Sequence, residues 1–378
     1  MVEIRRHLHR HPELSFQENE TTDFILGKLK NLNIPTDRPL DTGCVGVLEG
    51  GKGSDRVIAL RADIDALAIS EEGTHKAAFM SENQGVAHCC GHDAHTANLL
   101  GTAAVLKELQ EEIEGTVLLV FQPGEENLPG GGRLLCETGY LQGKGVDAIY
   151  GLHTSPFFKP GQIAVRKGPR MARPDEFTIE IIGKGGHAAA PQDAVDPIVI
   201  SAQVVSAIQN IVSRNIDPND AAVVTVGRIN GGTAHNIIPE KVEMIGTVRT
   251  FSQQTADFIK RRLEAIVKGI TGAAGATYRF DFNYGYPAVM NDGRTTDVLL
   301  KAASELVRDK NIRHMDKPVM AGEDFAFYQQ HFPGTFFFLG SGSEKSGSVY
   351  PWHHPKYNID EECFKTGAAL MASLVFGN

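Results

Sequence analysis

Apolar and polar positions alternate along the chain in two different regimes. In the first, short runs that are nearly all apolar are separated by longer helical stretches. Residues 45–49 and 57–65 read as strands. The second is almost wholly apolar, as a strand buried on both faces is, and it closes on acids. Residues 95–109 fit a long helix. Residues 117–121 form another apolar run, ending at Gln122-Pro123-Gly124-Glu125-Glu126, and residues 148–153 a third, ending in His153. Residues 1–31 read as helix broken at His11-Pro12, because proline disfavours helix in the residue before it. Strands alternating with helices predict an α/β domain with a mainly parallel central sheet.

The second regime is different. Residues 177–182 alternate with period two, as a half-buried strand does. A helix follows at 198–212, strands at 222–229 and 242–251, a helix at 255–270 and a strand at 277–284. The order β-α-β-β-α-β is the split pattern of a ferredoxin-like layer. It is self-contained, which predicts an inserted α+β domain over 174–284. A helix at 295–308, a buried strand at 335–339 and a last helix from Glu361 suit a return to the first domain. That domain is therefore expected to be discontinuous, over 1–173 and 285–378.

Composition changes little in this picture. A chain of 378 residues is too long for one ordinary core, which agrees with two domains. A net charge of -9 argues against nucleic acid as a partner. The five cysteines are odd in number and two are adjacent, a poor disulfide framework that points to a reducing compartment. The first residues carry no apolar stretch of a signal peptide, and no run approaches the roughly 20 apolar residues of a membrane span. Cytoplasm is the expected location, with no membrane partner.

The chemistry collects at strand ends. Asp63 and Asp65 close one buried strand, Glu125 and Glu126 follow a second, and His153 ends a third. Cys90 and His92 lie in a glycine-containing loop that opens a helix. In parallel sheets functional groups gather beyond the carboxyl ends of the strands. Thiolate, imidazole and carboxylate are the ligands of zinc and similar ions. Two ions about 3.5–4 Å apart can polarise a carbonyl and activate a water. Taken singly, a strand-end histidine is usually structural, paired acids are usually solvated, and a buried thiol is usually inert. Their joint placement favours a metal site.

The motifs extend this. In order they are Arg6-His7-Leu8-His9-Arg10-His11-Pro12-Glu13-Leu14, Arg61-Ala62-Asp63-Ile64-Asp65-Ala66-Leu67 and His88-Cys89-Cys90-Gly91-His92-Asp93-Ala94-His95. Then come Phe121-Gln122-Pro123-Gly124-Glu125-Glu126, Gly185-Gly186-His187-Ala188, His235-Asn236-Ile237-Ile238-Pro239, Gly322-Glu323-Asp324-Phe325 and His353-His354-Pro355. On these motifs the chain resembles the M20 metallopeptidase family. Its amidohydrolase branch, the closest in pattern, holds bacterial aminoacylases, carboxypeptidase-like enzymes and plant indole-acetyl-amino-acid hydrolases. The resemblance implies a zinc-peptidase-like catalytic domain, with the inserted domain as lid and dimerisation surface. It implies two divalent ions per subunit, of zinc, manganese, cobalt or nickel. Cys90 would bridge them, and His92, Glu126, His153 and His353 would complete their shells. Glu125 would be the general base, and Asp65 would orient a ligand imidazole. His187 would stabilise the oxyanion, from its own or the neighbouring subunit, with help from Asn236. Arg249 would hold a substrate carboxylate. A homodimer or homotetramer is expected.

Some positions depart from the family pattern. Gly124 and Cys89 stand where alanine is usual, and Gln192 where histidine is usual. Arg170 and Arg173 fall in a stretch that is usually less basic. They read as exposed hinge charge, or as readers of an acidic substrate. His95, one helical turn beyond His92, is not expected to be a ligand. The reaction implied is hydrolysis of an N-acyl amino acid to a carboxylate and an amine. The rivals are a dipeptidase or aminopeptidase on the same scaffold and a non-catalytic, metal-binding ligand sensor. Neither a Walker loop nor a GxGxxG after a strand is present, so nucleotide chemistry has no support.

Overall fold

A computed structural model of the chain describes residues 1–377. The chain clusters into two compact units. The first comprises Met1–Arg170, Val289–Pro318 and Asp324–Asn378, the second Met171–Ala288 and Val319–Glu323. The short piece Val319–Glu323 belongs with the second unit because Ala172 N–H donates to the Val319 carbonyl (3.0 Å).

The first unit is built on an eight-stranded sheet. Its four central strands, Glu114–Gln122, Lys52–Asp63, Ala148–Ser155 and Gly334–Gly340, lie side by side and run parallel. Cys44–Glu49 and Thr36–Asp37 add antiparallel at one edge. At the other edge Ile163–Val165 pairs antiparallel with Gly334–Gly340, and Ile312–His314 parallel with Ile163–Val165. Ala148–Ser155 and Gly334–Gly340 are buried throughout, which is why their sequences are nearly continuous apolar runs. Helices His92–Glu108, Gly293–Leu306 and Cys363–Phe376 contribute Leu99, Leu106, Leu299, Leu370 and Leu374 to the main core. There these side chains meet Leu60, Leu119, Leu152, Phe337 and Leu339 from the sheet. Fully burying one such side chain contributes about 1.5–3 kcal/mol. The strand expected at 57–65 starts five residues earlier, because the exposed Lys52–Arg56 stretch still pairs at Lys52 with Glu114. It also ends earlier, at Asp63, because Ala66 N–H turns away to the Glu13 carbonyl.

The second unit carries a four-stranded antiparallel sheet in the order Val223–Gly231, Lys241–Thr250, Arg173–Ile182, Thr277–Asn283. Helices Pro197–Asn210 and Gln253–Ala273 pack with it. Burial alternates along Arg173–Ile182 and Lys241–Thr250, as period-two patterning requires. Their inward residues Phe177, Ile179, Met244 and Val248 meet Val204, Ile208, Leu263 and Val267 of the helices. The helices begin where their caps lie. Asp196 accepts from Ile198 and Val199 N–H, with Pro197 in first position, and Ser252 accepts from Thr255 N–H. The order is β-α-β-β-α-β, as the patterning predicts. A separate two-stranded antiparallel ribbon, Gly186–His187 with Ile237–Ile238, accompanies it.

Candidate metal centre

The carboxyl ends of the central strands put the polar residues together. His153 lies near the end of Ala148–Ser155, Asp65 two residues beyond Lys52–Asp63, and Glu125 and Glu126 just after Glu114–Gln122. His92 opens its helix directly after Gly91, whose φ is 99°. A Cβ on Gly91 would stand 2.5 Å from the Thr154 hydroxyl and 2.9 Å from that of Tyr357, so only glycine fits this turn. Gly124 has φ 62°, and a Cβ there would collide with the Phe16 ring. Glycine in place of the usual alanine thus matches the local backbone.

Cys90, His92 and His153 offer ligand atoms all within 4.8 Å of one another. Cys90, Glu126 and His353 do the same, as do His92, Glu125 and Glu126. Cys90 belongs to two of these groups. Its Sγ lies 3.3 Å from His153 Nε2. Glu126 Oε1 lies 3.8 Å from His92 Nε2 and 3.3 Å from His353 Nε2. His354 turns elsewhere: its ring stacks on Tyr350 and its Nδ1 accepts from Lys356 N–H. Cys89 is buried outside the cluster, and its carbonyl accepts from His353 N–H (2.8 Å).

Hydrogen bonds at the far side of each ring decide which nitrogen faces inward. His92 Nδ1–H donates to Asp65 Oδ1 (3.1 Å), and His153 Nδ1–H donates to the Thr154 carbonyl (2.7 Å). Both leave Nε2 for the cluster. Asp65 also accepts from Ser15 Oγ (2.7 Å) and from Glu126 N–H (3.0 Å), so one carboxylate aligns an imidazole and the acidic turn. His95 is spent on structure. Its Nδ1–H donates to Asp63 (2.6 Å), and its Nε2 accepts from Thr154 N–H (2.9 Å).

Cys90, His92 and His153 are buried in a negative field, while His353 reaches the group from an exposed position. Among the described residues, His92 Nε2 and Glu126 Oε1 have no hydrogen-bond partner although both atoms are buried. Burial opposes a charged His92 ring, but Asp63, Asp65 and Glu126 outweigh it and lift its pKa to about 10. Burial, then Glu126, Glu125 and Asp63, push the Cys90 thiol well above its usual value. Burial and the neighbouring His95 hold His153 neutral, well below the usual imidazole range. Unpartnered donors, a neutral imidazole and a field that holds extra protons all suit cations in this place.

This has a consequence for the metal-free protein. A ring that keeps its proton to about pH 10 when folded, against 6.5 in an isolated ring, stabilises the folded chain below pH 6.5. That stabilisation is lost as pH rises through 10. Chelator-treated protein should therefore melt at progressively lower temperature between these limits, and His92→Gln should flatten the trend. A melting temperature that rises with pH over this window contradicts the assignment.

Two buried networks support the cluster, and sequence reasoning assigned roles to neither. Arg61 donates to Gln122 (2.9 Å), Asp63 (2.7 Å) and Asp324 (2.8 Å). Asp324 also accepts from Gln122 and Gly132 N–H. The signal was an arginine inside an apolar strand, since a buried charge must be paired. Arg5 donates to Asp93 (2.8 Å) and Asn358 (2.9 Å), and His9 links Asp93 (2.7 Å) to Glu71 (2.6 Å). The first helix is thus tied to the residue following His92.

In the second unit His187 sits on the short two-stranded ribbon opposite Ile237, exposed, with Nδ1 accepting from Ala189 N–H. The Asn236 carbonyl accepts from Ala188 N–H (3.1 Å), so the ribbon brings the backbones of Ala188 and Asn236 together. Arg249 lies near the other end of Lys241–Thr250, level with Val223 and Pro174. Gln192 is exposed. Arg170 and Arg173 correct an expectation. They are not exposed hinge charges but buried, at 0% and 4%. Arg173 donates two bonds to Asp175 and one to Gln253 within the second unit.

Among the described residues no helix is long and apolar enough to cross a membrane. The chain is 47% identical over 292 residues to an N-acyl-L-amino acid amidohydrolase of Geobacillus stearothermophilus, covering 77% of this chain and 78% of that one. It is 40% identical to an N-acetylcysteine deacetylase of Bacillus subtilis, covering 99% of this chain and 95% of the relative. A crystal structure of a Bacillus subtilis protein, described as a dinuclear metal-binding peptidase of the M20 family, superposes with a TM-score of 0.84 at 37% identity, covering 99% and 96% of the two chains. Residues 59–376, a stretch that holds every donor of the cluster, match peptidase family M20/M25/M40, and the chain belongs to that family.

Proposed function

We propose that this protein is a metal-dependent amidohydrolase that cleaves N-acyl amino acids or related amino-acid conjugates. The observation that carries this is the pair of donor groups sharing Cys90, with Glu125 beside them. The two relatives named for acylated amino acids supply the substrate class. Cys90, His92, His153, Glu126 and His353 would hold two divalent ions, and Asp65 would fix the His92 ring and the Glu126 backbone. The ions supply Lewis acidity, which polarises the scissile carbonyl and makes the attacking water a stronger acid. One thiolate, three imidazoles and a carboxylate suit zinc, with manganese, cobalt and nickel as alternatives.

The remaining work falls to the chain. Glu125 takes the proton of the attacking water and returns it to the leaving amine nitrogen. Glu125 is buried, at 7% exposure. His187 and Asn236 would stabilise the charge on the carbonyl oxygen, and Arg249 would hold the α-carboxylate. The second unit would serve as lid and as dimerisation surface. Its edge strand Val223–Gly231 leaves Ile229 55% exposed, and Ile198 and Val199 stand exposed on the neighbouring helix. An open edge with apolar side chains favours pairing with a second copy. Cytoplasm is the proposed location, from the cysteine usage.

A panel of N-acyl amino acids, free dipeptides and amino-acid amides, run with zinc, manganese, cobalt and nickel, tests the reading. Turnover of the acylated set, by protein that light scattering shows as a dimer or larger, is the expected result. Turnover confined to free-amine peptides would move the protein to a dipeptidase or aminopeptidase. Tight binding without turnover would make it a sensor.

A further inference from the structure

Arg170 is 0% exposed, and none of its three guanidinium nitrogens has a hydrogen-bond partner among the described residues. Arg5 and Arg61, in the same unit and equally buried, are each answered by two acids. Arg170 has only a ring. Its guanidinium carbon lies 3.7 Å from the centroid of Phe338. Burial, with Arg166 nearby, pushes its pKa down to about 9.

The ring locates the guanidinium. Phe338 is the direct neighbour of His153 across parallel strands, so both side chains project from the same face of the sheet. Their rings are 6.2 Å apart, and Trp352 completes the group at 5.3 Å from Phe338 and 5.2 Å from His153. Arg170 is thus two contacts from a proposed metal ligand. A π-face satisfies the flat side of a guanidinium and leaves the N–H groups at its rim unanswered. Their fork geometry matches a carboxylate. A buried charge lacking such a partner is strongly disfavoured, so an anion is the natural complement.

We propose that Arg170 is a specificity residue that binds a second carboxylate of the substrate, carried by the acyl group or by the amino-acid side chain. This rests on the amidohydrolase reading. It makes the preferred substrate an acidic N-acyl amino acid or a dicarboxylic acyl conjugate.

Matched substrates separate the two sources. One pair is N-acetylglutamate against N-acetylglutamine, the other N-succinylalanine against N-butyrylalanine. The native protein should favour the carboxylate member of one pair by about 10- to 100-fold in kcat/KM, the range of a charged hydrogen bond. Arg170→Met should collapse that ratio towards one through KM, and Arg170→Lys should keep part of it. No preference in either pair, or a preference that Arg170→Met leaves intact, overturns the proposal. Melting of the metal-free protein decides the same question without turnover. Glutarate should raise the melting temperature of the native protein and of Arg170→Lys but not of Arg170→Met. Without ligand, Arg170→Met should melt higher than the native protein, because an unpaired buried charge is gone. No glutarate shift in the native protein, with a lower-melting Arg170→Met, assigns Arg170 a structural role and overturns the proposal. Absence of all hydrolysis overturns the amidohydrolase reading alone.

Discussion

Glu125→Gln should leave a folded protein with its full metal content and reduce kcat for N-acyl amino acids by about 10³-fold, within the usual range for a lost general acid–base group. Glutamine keeps the volume and planarity of the side chain but cannot carry the proton from water to the leaving nitrogen. The proposed ligands are Cys90, His92, Glu126, His153 and His353, so none is touched. KM should change little, because substrate is held elsewhere. The neighbouring Glu126→Gln is the control. Its Oε1 lies near both His92 and His353, so that substitution should release metal. A native rate in Glu125→Gln would remove Glu125 from the mechanism. Parallel loss of metal in both variants would show that the two acids share one role.

The adjacent cysteines should separate as sharply. After dialysis, Cys90→Ser should lose at least one equivalent of metal per chain by elemental analysis, with activity falling about 10²-fold or more. Cys89→Ala should retain both ions and nearly the native rate. Cys90 belongs to two donor groups, whereas Cys89 belongs to none, and its carbonyl, which any residue supplies, makes the bond to His353. Equal metal loss in the two variants would falsify this division.

The parts of this architecture that were legible share one property: their signal is local. Fully buried parallel strands must be apolar throughout, so the polar groups at their ends stand out, and Asp65, Glu125, Glu126 and His153 could be read off three runs. The second unit was legible because its strands alternate and its helices do not. What escaped reading depends on distant partners or on very short elements. Thr36–Asp37, Ile163–Val165 and Ile312–His314 are too short to show a period. Gly186–His187 pairs with Ile237–Ile238 across a helix and a strand. Arg61 was named within a motif but given no role, because its partner Asp324 lies 263 residues away. Arg170 read as exposed because arginines usually are, and only packing against Phe338 reveals its burial.

The Arg61–Asp324 pair also sets a timetable. At roughly 5–20 residues per second on the ribosome, the 263 residues between them take roughly 13–53 s to emerge. The whole second sheet is synthesised in that interval and can fold while Arg61 still lacks one acid. His353 arrives later again. Of the proposed ligands, Cys90, His92, Glu126 and His153 are therefore made well before His353, and the proposed donor set is complete only near the end of synthesis.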